Sequence, residues 1–139
     1  MKFRDLLRLL RKDGWYLAPT RGSHHQFRQP VKPGLVTVAG SGNDDVCATY
    51  IEEDTHAGPR RALTGGRLMS RYLVIIEESA TGYSAFLPDL PGCIATGFTR
   101  EEVEKTMREG VAFHLEGLRE SGEPVPPPRS SATYVDVAA

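Results

Sequence analysis

The sequence has little of what a disulfide-bonded, zinc-binding or membrane-spanning protein needs. Its 139 residues include two cysteines, Cys47 and Cys93, which are too few for a disulfide framework and lack the paired spacing of a zinc site. The longest apolar run, Leu73–Ile76, is far shorter than the roughly 20 residues of a transmembrane helix. Residues 1–5 lead into a charged stretch instead of the apolar core of an export signal. These absences predict a cytoplasmic protein with two free thiols and no membrane partner.

The net charge of −1 conceals two parts of the chain with opposite charge. Residues 1–40 have eight Lys/Arg and two Asp, a net charge of +6, whereas residues 69–139 have six Lys/Arg and eleven Asp/Glu, a net charge of −5. A basic segment is suited to a polyanion such as RNA, and an acidic segment is suited to a basic one. Because 139 residues make one ordinary domain or two very small ones, each part has little core of its own.

The first 40 residues show the pattern of one helix followed by three strands. The helix is predicted over residues 2–13, where apolar residues recur at the amphipathic spacing i, i+3, i+4, i+7, at Phe3, Leu6, Leu7 and Leu10. Short strand patterns, separated by turn-forming residues, follow at 15–18, 24–28 and 35–38. Residues 41–68 then show no helical or strand period and are rich in turn formers, which is typical of a linker.

A β-β-β-α-β order is predicted for residues 69–139. The strands are expected at Tyr72–Glu77, Tyr83–Phe86, Cys93–Phe98 and Thr133–Val137, and the first of them is apolar on both faces, which favours an inner strand. The helix is expected between Thr99, which forms a capping-box pattern with Glu102, and Gly122. Its apolar residues keep a four-residue rhythm at Val103, Met107, Val111, Leu115 and Leu118.

Three stretches of the first part resemble the HicA family of toxins: residues 13–15, residues 21–28 and residues 36–38. The resemblance implies a double-stranded-RNA-binding-like α-β-β-β-α fold, in which a Gly-Ser-His segment presents the histidine needed for RNA cleavage. That histidine is His24 here. Since residues 41–68 do not supply the second helix of that fold, the toxin-like module is expected to be truncated at 1–40.

Residues 83–93, followed by Thr99–Glu102, resemble the HicB family of antitoxins. The resemblance covers nearly all of residues 69–139 and implies a domain similar to a partial RNase H fold that binds a HicA-type toxin, in cis or in trans, with homo-oligomers forming through this half. HicB proteins often carry a C-terminal DNA-binding segment, and the end of the chain at Ala139 predicts none here. Asp89 lacks the clustered carboxylates of a two-metal nuclease, so no nuclease activity is expected in this half.

The residue types around His24 also suit RNA chemistry. An imidazole titrates near neutral pH, and a base that deprotonates a ribose 2′-hydroxyl turns it into a nucleophile against the adjacent phosphate without a metal or other cofactor. The candidate RNA-binding residues are Arg21, Gly22, Ser23, Arg28 and Lys32. His25 is expected on the opposite face of the strand. A lone histidine on a strand is often structural, and that alternative stays open.

The sequence therefore predicts an α+β protein with a HicA-like module at 1–40, a linker or out-of-frame segment at 41–68 and a HicB-like domain at 69–139. A frameshift near residue 46, with Met69 as the former start of the second part, would explain the missing helix. Three functions remain open. The chain is a masked, metal-independent RNA endonuclease that cleaves mRNA, or an antitoxin-type binding protein with a relic toxin half, or an RNA-binding module without catalysis.

Overall fold

The computed structural model describes residues 1–18, 22, 24–46 and 71–138, and within them the predicted α+β class is confirmed. Two helices are present, α1 (Phe3–Lys12) and α2 (Arg100–Glu120). Six strands accompany them: β1 (Tyr16–Leu17), β2 (His24–Arg28), β3 (Val36–Ala39), β4 (Ile75–Ser79), β5 (Gly82–Phe86) and β6 (Cys93–Gly97). Arg21, Ser23, Cys47 and most of the predicted linker lie outside the described residues.

The six strands form one sheet in the order β1-β2-β3-β6-β5-β4. Strands β3 and β6 are parallel, with Thr37 opposite Cys93 and Ala39 opposite Ala95. The other neighbouring strands are antiparallel. Because β3 belongs to the basic part of the chain and β6 to the acidic part, the two parts share a continuous sheet.

Helix α1 covers one side of the sheet, which we call the α1 face. Its first amide groups donate to a turn that follows β3, from Phe3 N to Asp44 O at 2.8 Å and from Arg4 N to Gly42 O at 3.2 Å. Val46, at the start of the predicted out-of-frame segment, is buried in the same cluster and is part of the folded structure. The buried residues of this cluster are Phe3, Leu6, Leu10, Phe27, Val38, Val46 and Ile94.

Helix α2 covers the other side of the sheet, the α2 face. As its sequence predicts, the Thr99 side chain accepts a hydrogen bond from Glu102 N at 3.1 Å, which satisfies one free amide of the first turn. The predicted apolar rhythm is confirmed, because every fourth or third residue of the helix packs on this face. The buried residues of this cluster are Leu35, Ala39, Ala85, Leu87, Leu90, Cys93, Ala95, Val103, Met107 and Leu118.

Gly92 allows the two parts of the chain to meet. It has φ +89°, and a Cβ there would lie 2.2 Å from the carbonyl oxygen of Leu35. Its own carbonyl accepts from Thr37 N at 2.5 Å. A side chain would therefore separate the strands at the junction where β3 pairs with β6.

Two predictions about the acidic part are wrong. The first strand, β4, lies at an edge of the sheet and not inside it. Only Ile76 and its neighbours before the strand pack on the α2 face, while Glu77 and Glu78 are exposed. The final strand predicted at Thr133–Val137 does not form, and Tyr134 is 96% exposed.

Asp89 explains how the chain is held before that exposed segment. Its carboxylate accepts from the backbone amides of Arg129 and Ser130 at 2.8 and 2.6 Å. The carboxylate therefore holds the segment at 129–130 against the loop that follows β5. Beyond Ser130 the chain has no neighbouring strand to pair with among the described residues.

The cysteine and membrane predictions are tested only in part. Cys93 is a buried thiol outside any disulfide, and burial raises its pKa to about 12, so it is protonated at neutral pH. Neither helix in the described part of the chain is long and apolar enough to cross a bilayer.

Candidate functional site

Strand β2 presents three polar side chains to α2. Cross-strand pairing places His24 opposite Ala39 and Gln26 opposite Thr37, on the α2 face. His25 pairs with Val38 and so lies on the α1 face, as the strand period predicts. The α2 face of this strand therefore carries His24, Gln26 and Arg28, two residues apart.

The candidate catalytic residue, His24, is covered by α2. Its side chain is 5% exposed, and its Nε2 lies 2.8 Å from the carbonyl oxygen of Thr106. Because a carbonyl only accepts, Nε2 carries the hydrogen and donates it. The ring also meets Phe113 edge to face, with centroids 6.5 Å apart. In this arrangement Nε2 has no free lone pair with which to take a proton.

A buried chain of hydrogen bonds lies beside His24. Gln26 Nε2 donates to Phe113 O at 3.0 Å and to Thr37 Oγ1 at 3.3 Å. The Thr37 hydroxyl lies 2.7 Å from His114 Nδ1. The Pro91 backbone also hydrogen-bonds this imidazole, and since proline has no N–H, its carbonyl accepts and Nδ1 is left to accept from Thr37. Burial lowers the pKa of His114 to about 4, so the ring is neutral at pH 7.

Arg28 binds the end of α2. Its guanidinium donates to Gly117 O at 3.2 Å and to the Ser121 hydroxyl. A cation at the C-terminus of a helix is favourable because the last carbonyl groups carry the negative end of the helix dipole. Next to it, Glu123 Oε1 accepts from Gly34 N at 2.6 Å. The predicted RNA-binding arginine is thus engaged with the acidic part of the same chain.

The other predicted RNA-binding residues do not join this group. Lys32 lies in the exposed turn after β2, where its Nζ is 2.6 Å from Asp13 Oδ2. That hydrogen bond is the main reason that the pKa of Asp13 lies below its usual value. Gly22 is exposed with φ +58°. The structure thus brings His24 and Arg28 together under α2 and leaves Lys32 outside.

The acidic side chains of α2 take little part in this contact. Glu101, Glu102 and Glu109 are exposed, and Glu104 pairs with Arg100 of the same helix at 3.2 Å. This fits the solvated helix side that glutamates usually form. No group of three or more His, Cys, Asp or Glu side chains suited to a metal gathers within the described ranges.

Sequence reasoning missed the partners of His24. The alternation of His24, Gln26 and Arg28 was visible, because residues i, i+2 and i+4 of a strand share a face. Two glycines seven residues apart in α2, Gly110 and Gly117, were a second signal. The pairing of these two patterns depends on how β3 meets β6, which no local pattern specifies.

Comparison with known proteins follows the same division of the chain. The family described as HicA toxin of bacterial toxin-antitoxin matches residues 3–48. The family described as HicB_like antitoxin of bacterial toxin-antitoxin system matches residues 72–138. The two matches stand in tandem and do not overlap. No solved structure matches the chain.

Curated relatives are similar over about half of the chain. An uncharacterized 14.9 kDa protein in the rep-hol intergenic region of Haemophilus phage HP1 is 34% identical over 65 residues, which is 47% of this chain and 49% of the phage protein. The match therefore spans only about half of that relative's length. A UPF0150 protein of Thermoplasma acidophilum is 33% identical over 70 residues, 50% of this chain and 99% of the relative. A UPF0150 protein of Synechocystis is 38% identical over 56 residues, 40% of this chain and 71% of the relative.

The two family matches lie in the basic and the acidic part of the chain. Residues 3–48 match the HicA toxin family, residues 72–138 match the HicB_like antitoxin family, and the chain belongs to the family of the UPF0150 proteins that it covers to 99% and 71%.

Proposed function

We propose that this chain is a self-inhibited toxin–antitoxin protein, in which the HicB-like half covers the RNA-cleaving residue of the HicA-like half. The observation that carries the proposal is the position of His24, which is 5% exposed and donates from Nε2 to Thr106 O at 2.8 Å. A histidine that acts on RNA must be open to solvent and must have a nitrogen free to accept a proton. The contact with α2 removes the exposure to solvent and occupies Nε2 as a donor.

The reaction proposed for the uncovered site is transesterification of RNA. An accepting nitrogen of His24 takes the proton of a ribose 2′-hydroxyl, and the oxygen attacks the adjacent phosphorus while the bond to the 5′-oxygen breaks. The 5′-oxygen takes a proton from solvent, and His24 later returns its proton to solvent. The products are a 2′,3′-cyclic phosphate and a 5′-hydroxyl. Arg28, on the same face of β2, is suited to bind a neighbouring phosphate once it leaves the end of α2. This chemistry does not require a metal ion.

Two features favour inhibition within one chain over capture of a separate toxin. Helix α2 occupies the polar face of β2, and β6 occupies the edge of β3, so both contacts that the HicB-like half offers are already used. Residues 47–70 link the halves covalently, and a linker typically raises the local concentration of a partner to about millimolar. A free toxin at lower concentration would have to displace the segment already bound.

RNA cleavage by paired variants tests this proposal. Gly117→Leu places a side chain where even a Cβ would lie 2.6 Å from Leu35 Cδ2, so it should lift α2. We expect the unchanged chain to be nearly inactive, Gly117→Leu to cleave single-stranded RNA, and Gly117→Leu combined with His24→Ala to lose that activity. His25→Ala in the same background is the control, because His25 lies on the opposite face.

Each result of this experiment has a clear meaning. Circular dichroism should show that the variants keep their helices. Strong cleavage by the unchanged chain contradicts the inhibition. A folded Gly117→Leu chain without activity contradicts a catalytic site at His24, and so does activity that survives His24→Ala.

RNA binding without catalysis is a second candidate, favoured by the outer side of α1. This side carries exposed basic residues that α2 does not cover: Arg4, Arg8, Arg11 and Lys12. Phosphate contacts release counterions, so such binding weakens steeply as salt increases. Salt-dependent RNA binding by both the unchanged chain and Gly117→Leu, with no cleavage by either, would select this function.

A further inference from the structure

We propose that Gly110 and Gly117 shape α2 into a surface that recognises the side-chain pattern His24-x-Gln26-x-Arg28 on a β-strand. The inference rests on the proposed covering of His24, and it does not depend on RNA cleavage. The partner that fits this surface is a strand that presents N–H donors at three alternate positions. In this chain that partner is β2.

The two glycines lie on the side of α2 that touches β2. They are seven residues apart, which is two helical turns, so they share one side of the helix. A Cβ at Gly110 would lie 3.2 Å from His24 Cδ2 and 3.3 Å from its Nε2. A Cβ at Gly117 would lie 2.6 Å from Leu35 Cδ2 and 3.0 Å from Gln26 Nε2. A side chain at position 110 would therefore press on the His24 ring, and one at position 117 would displace the ends of the Leu35 and Gln26 side chains.

The close approach lets the side chains of β2 reach backbone carbonyl groups of α2. His24 Nε2 is bonded to Thr106 O at 2.8 Å, Gln26 Nε2 to Phe113 O at 3.0 Å, and Arg28 Nη2 to Gly117 O at 3.2 Å. The donors alternate along the strand, and the acceptors follow one another along the helix. These carbonyl groups belong to a helix and have partners of their own, as Gly117 O accepts from Ser121 N at 3.2 Å, so the side chains of β2 add a further hydrogen bond to each. Because a backbone carbonyl only accepts, an acidic side chain at one of these positions would meet no donor there.

Helix stability does not explain the glycines. A glycine in a helix interior is less stable than alanine by about 0.5–1 kcal/mol, because it loses more conformational freedom on folding. Helix α2 has alanine at the exposed position 112 and glycine at the two buried positions that face the sheet. We therefore attribute the two glycines to the close contact between α2 and the strand.

Histidine exchange in paired variants separates recognition from helix stability. The exchange of the C2 hydrogen with deuterium, measured by mass spectrometry, reports on each histidine separately. We expect Gly117→Ala to speed exchange at His24 by about tenfold or more, since overpacking a buried contact displaces the helix. Gly110→Ala should give a smaller increase, because its nearest contact is 3.2 Å. Exchange at His25, on the other face, should stay unchanged in both.

Ala112→Gly is the matched control in the same helix. It lowers the intrinsic stability of the helix at an exposed position, so it should lower the melting temperature and leave His24 covered. Gly110→Ala and Gly117→Ala have the opposite effects, because alanine raises the intrinsic stability of the helix but disturbs its contact with the sheet. The proposal is overturned if Gly117→Ala leaves exchange at His24 unchanged, or if Ala112→Gly raises it as much.

A change on the strand side gives an independent test if a glycine variant fails to fold. Gln26→Met keeps a similar volume but removes the donor to Phe113 O. It should also speed exchange at His24, and combined with Gly110→Ala it should give less than the product of the two single effects, because both act on one contact. Independent, multiplicative effects would contradict a shared recognition surface.

Discussion

The two faces of β2 and β3 are both buried under a helix, but their chemistry differs. On the α1 face the strands present Phe27, Val36 and Val38. On the α2 face they present His24, Gln26 and Thr37, each with a hydrogen-bond partner. Apolar side chains suffice for stability, whereas a buried polar group costs free energy unless it is paired. The polar face therefore depends on its hydrogen bonds to α2 in a way that the apolar face does not depend on α1.

Among the changes that test this comparison, removal of residues 47–139 should have the largest effect on stability. The remaining segment loses Ile94 from its apolar cluster, the β6 partner of β3 and the cover over the polar face. A three-stranded sheet with one helix has too little core to be stable alone. We expect an unfolded circular dichroism spectrum, against a folded one for the full chain. Cooperative melting of the fragment would contradict this.

Phe27→Ala tests the apolar face. The side chain is 3% exposed within the α1 cluster, and its loss should reduce the free energy of unfolding by about 3–5 kcal/mol. Tyr134→Ala is the matched control, because that aromatic ring is 96% exposed and should change stability by less than about 0.5 kcal/mol. Urea denaturation measures both. Equal effects would show that the α1 face is not the stabilising one.

Acidification should destabilise the folded chain, because His114 is buried as a neutral ring on the α2 face. Its pKa is about 4 in the folded chain because of burial, below the ordinary value of 6.5, so the unfolded chain binds the proton first as pH falls. The free energy of unfolding does not change with this group above pH 6.5, and it decreases as the pH falls from 6.5 to about 4. From pH 7 to pH 4.5 the loss should be about 2–3 kcal/mol. His114→Gln should flatten this dependence in urea denaturation, and an unchanged slope would refute it.

Reciprocal swaps at neighbouring residues give the smallest predicted effect. Thr37→Val removes the hydroxyl bonded to His114 Nδ1 and should cost about 1–2 kcal/mol. Val38→Thr buries a hydroxyl in the apolar cluster and should cost a similar amount, although it changes polarity in the opposite direction. Thermal unfolding measures both. A stabilising Thr37→Val would show that the polar face is not specifically satisfied.

Local patterns predicted most of the elements but not their arrangement. The spacing of Phe3, Leu6 and Leu10 predicted α1, and the Thr99–Glu102 pattern predicted the start of α2. Strand β2 has the predicted bounds, because a short run between turns leaves little choice. The prediction of a last strand at Thr133–Val137 was wrong, since residues that favour a strand form one only when a neighbouring strand is available.

The same holds for the candidate site, where single residues could be placed from the sequence but their contacts could not. The resemblance of its segment to HicA toxins singled out His24, whose catalytic role stays a prediction, while the separation of His24 from His25 onto opposite faces followed from the strand period and is confirmed. Its cover by Thr106 and Phe113 was not predictable, because the opposite net charges of the halves indicated contact without identifying the groups that meet. The hydrogen bonds are made by side chains of β2 to backbone carbonyls of α2, which sequence patterns do not mark.

The most direct test of the central claim compares His24 and His25 in the unmodified full chain. C2 hydrogen exchange at neutral pH should be slower at His24 than at His25 by about tenfold or more, because exchange at a covered ring requires α2 to open. In urea, where both are exposed, the two rates should become similar. Equal rates in the folded chain would contradict the account, since they would mean that the HicB-like half does not cover His24.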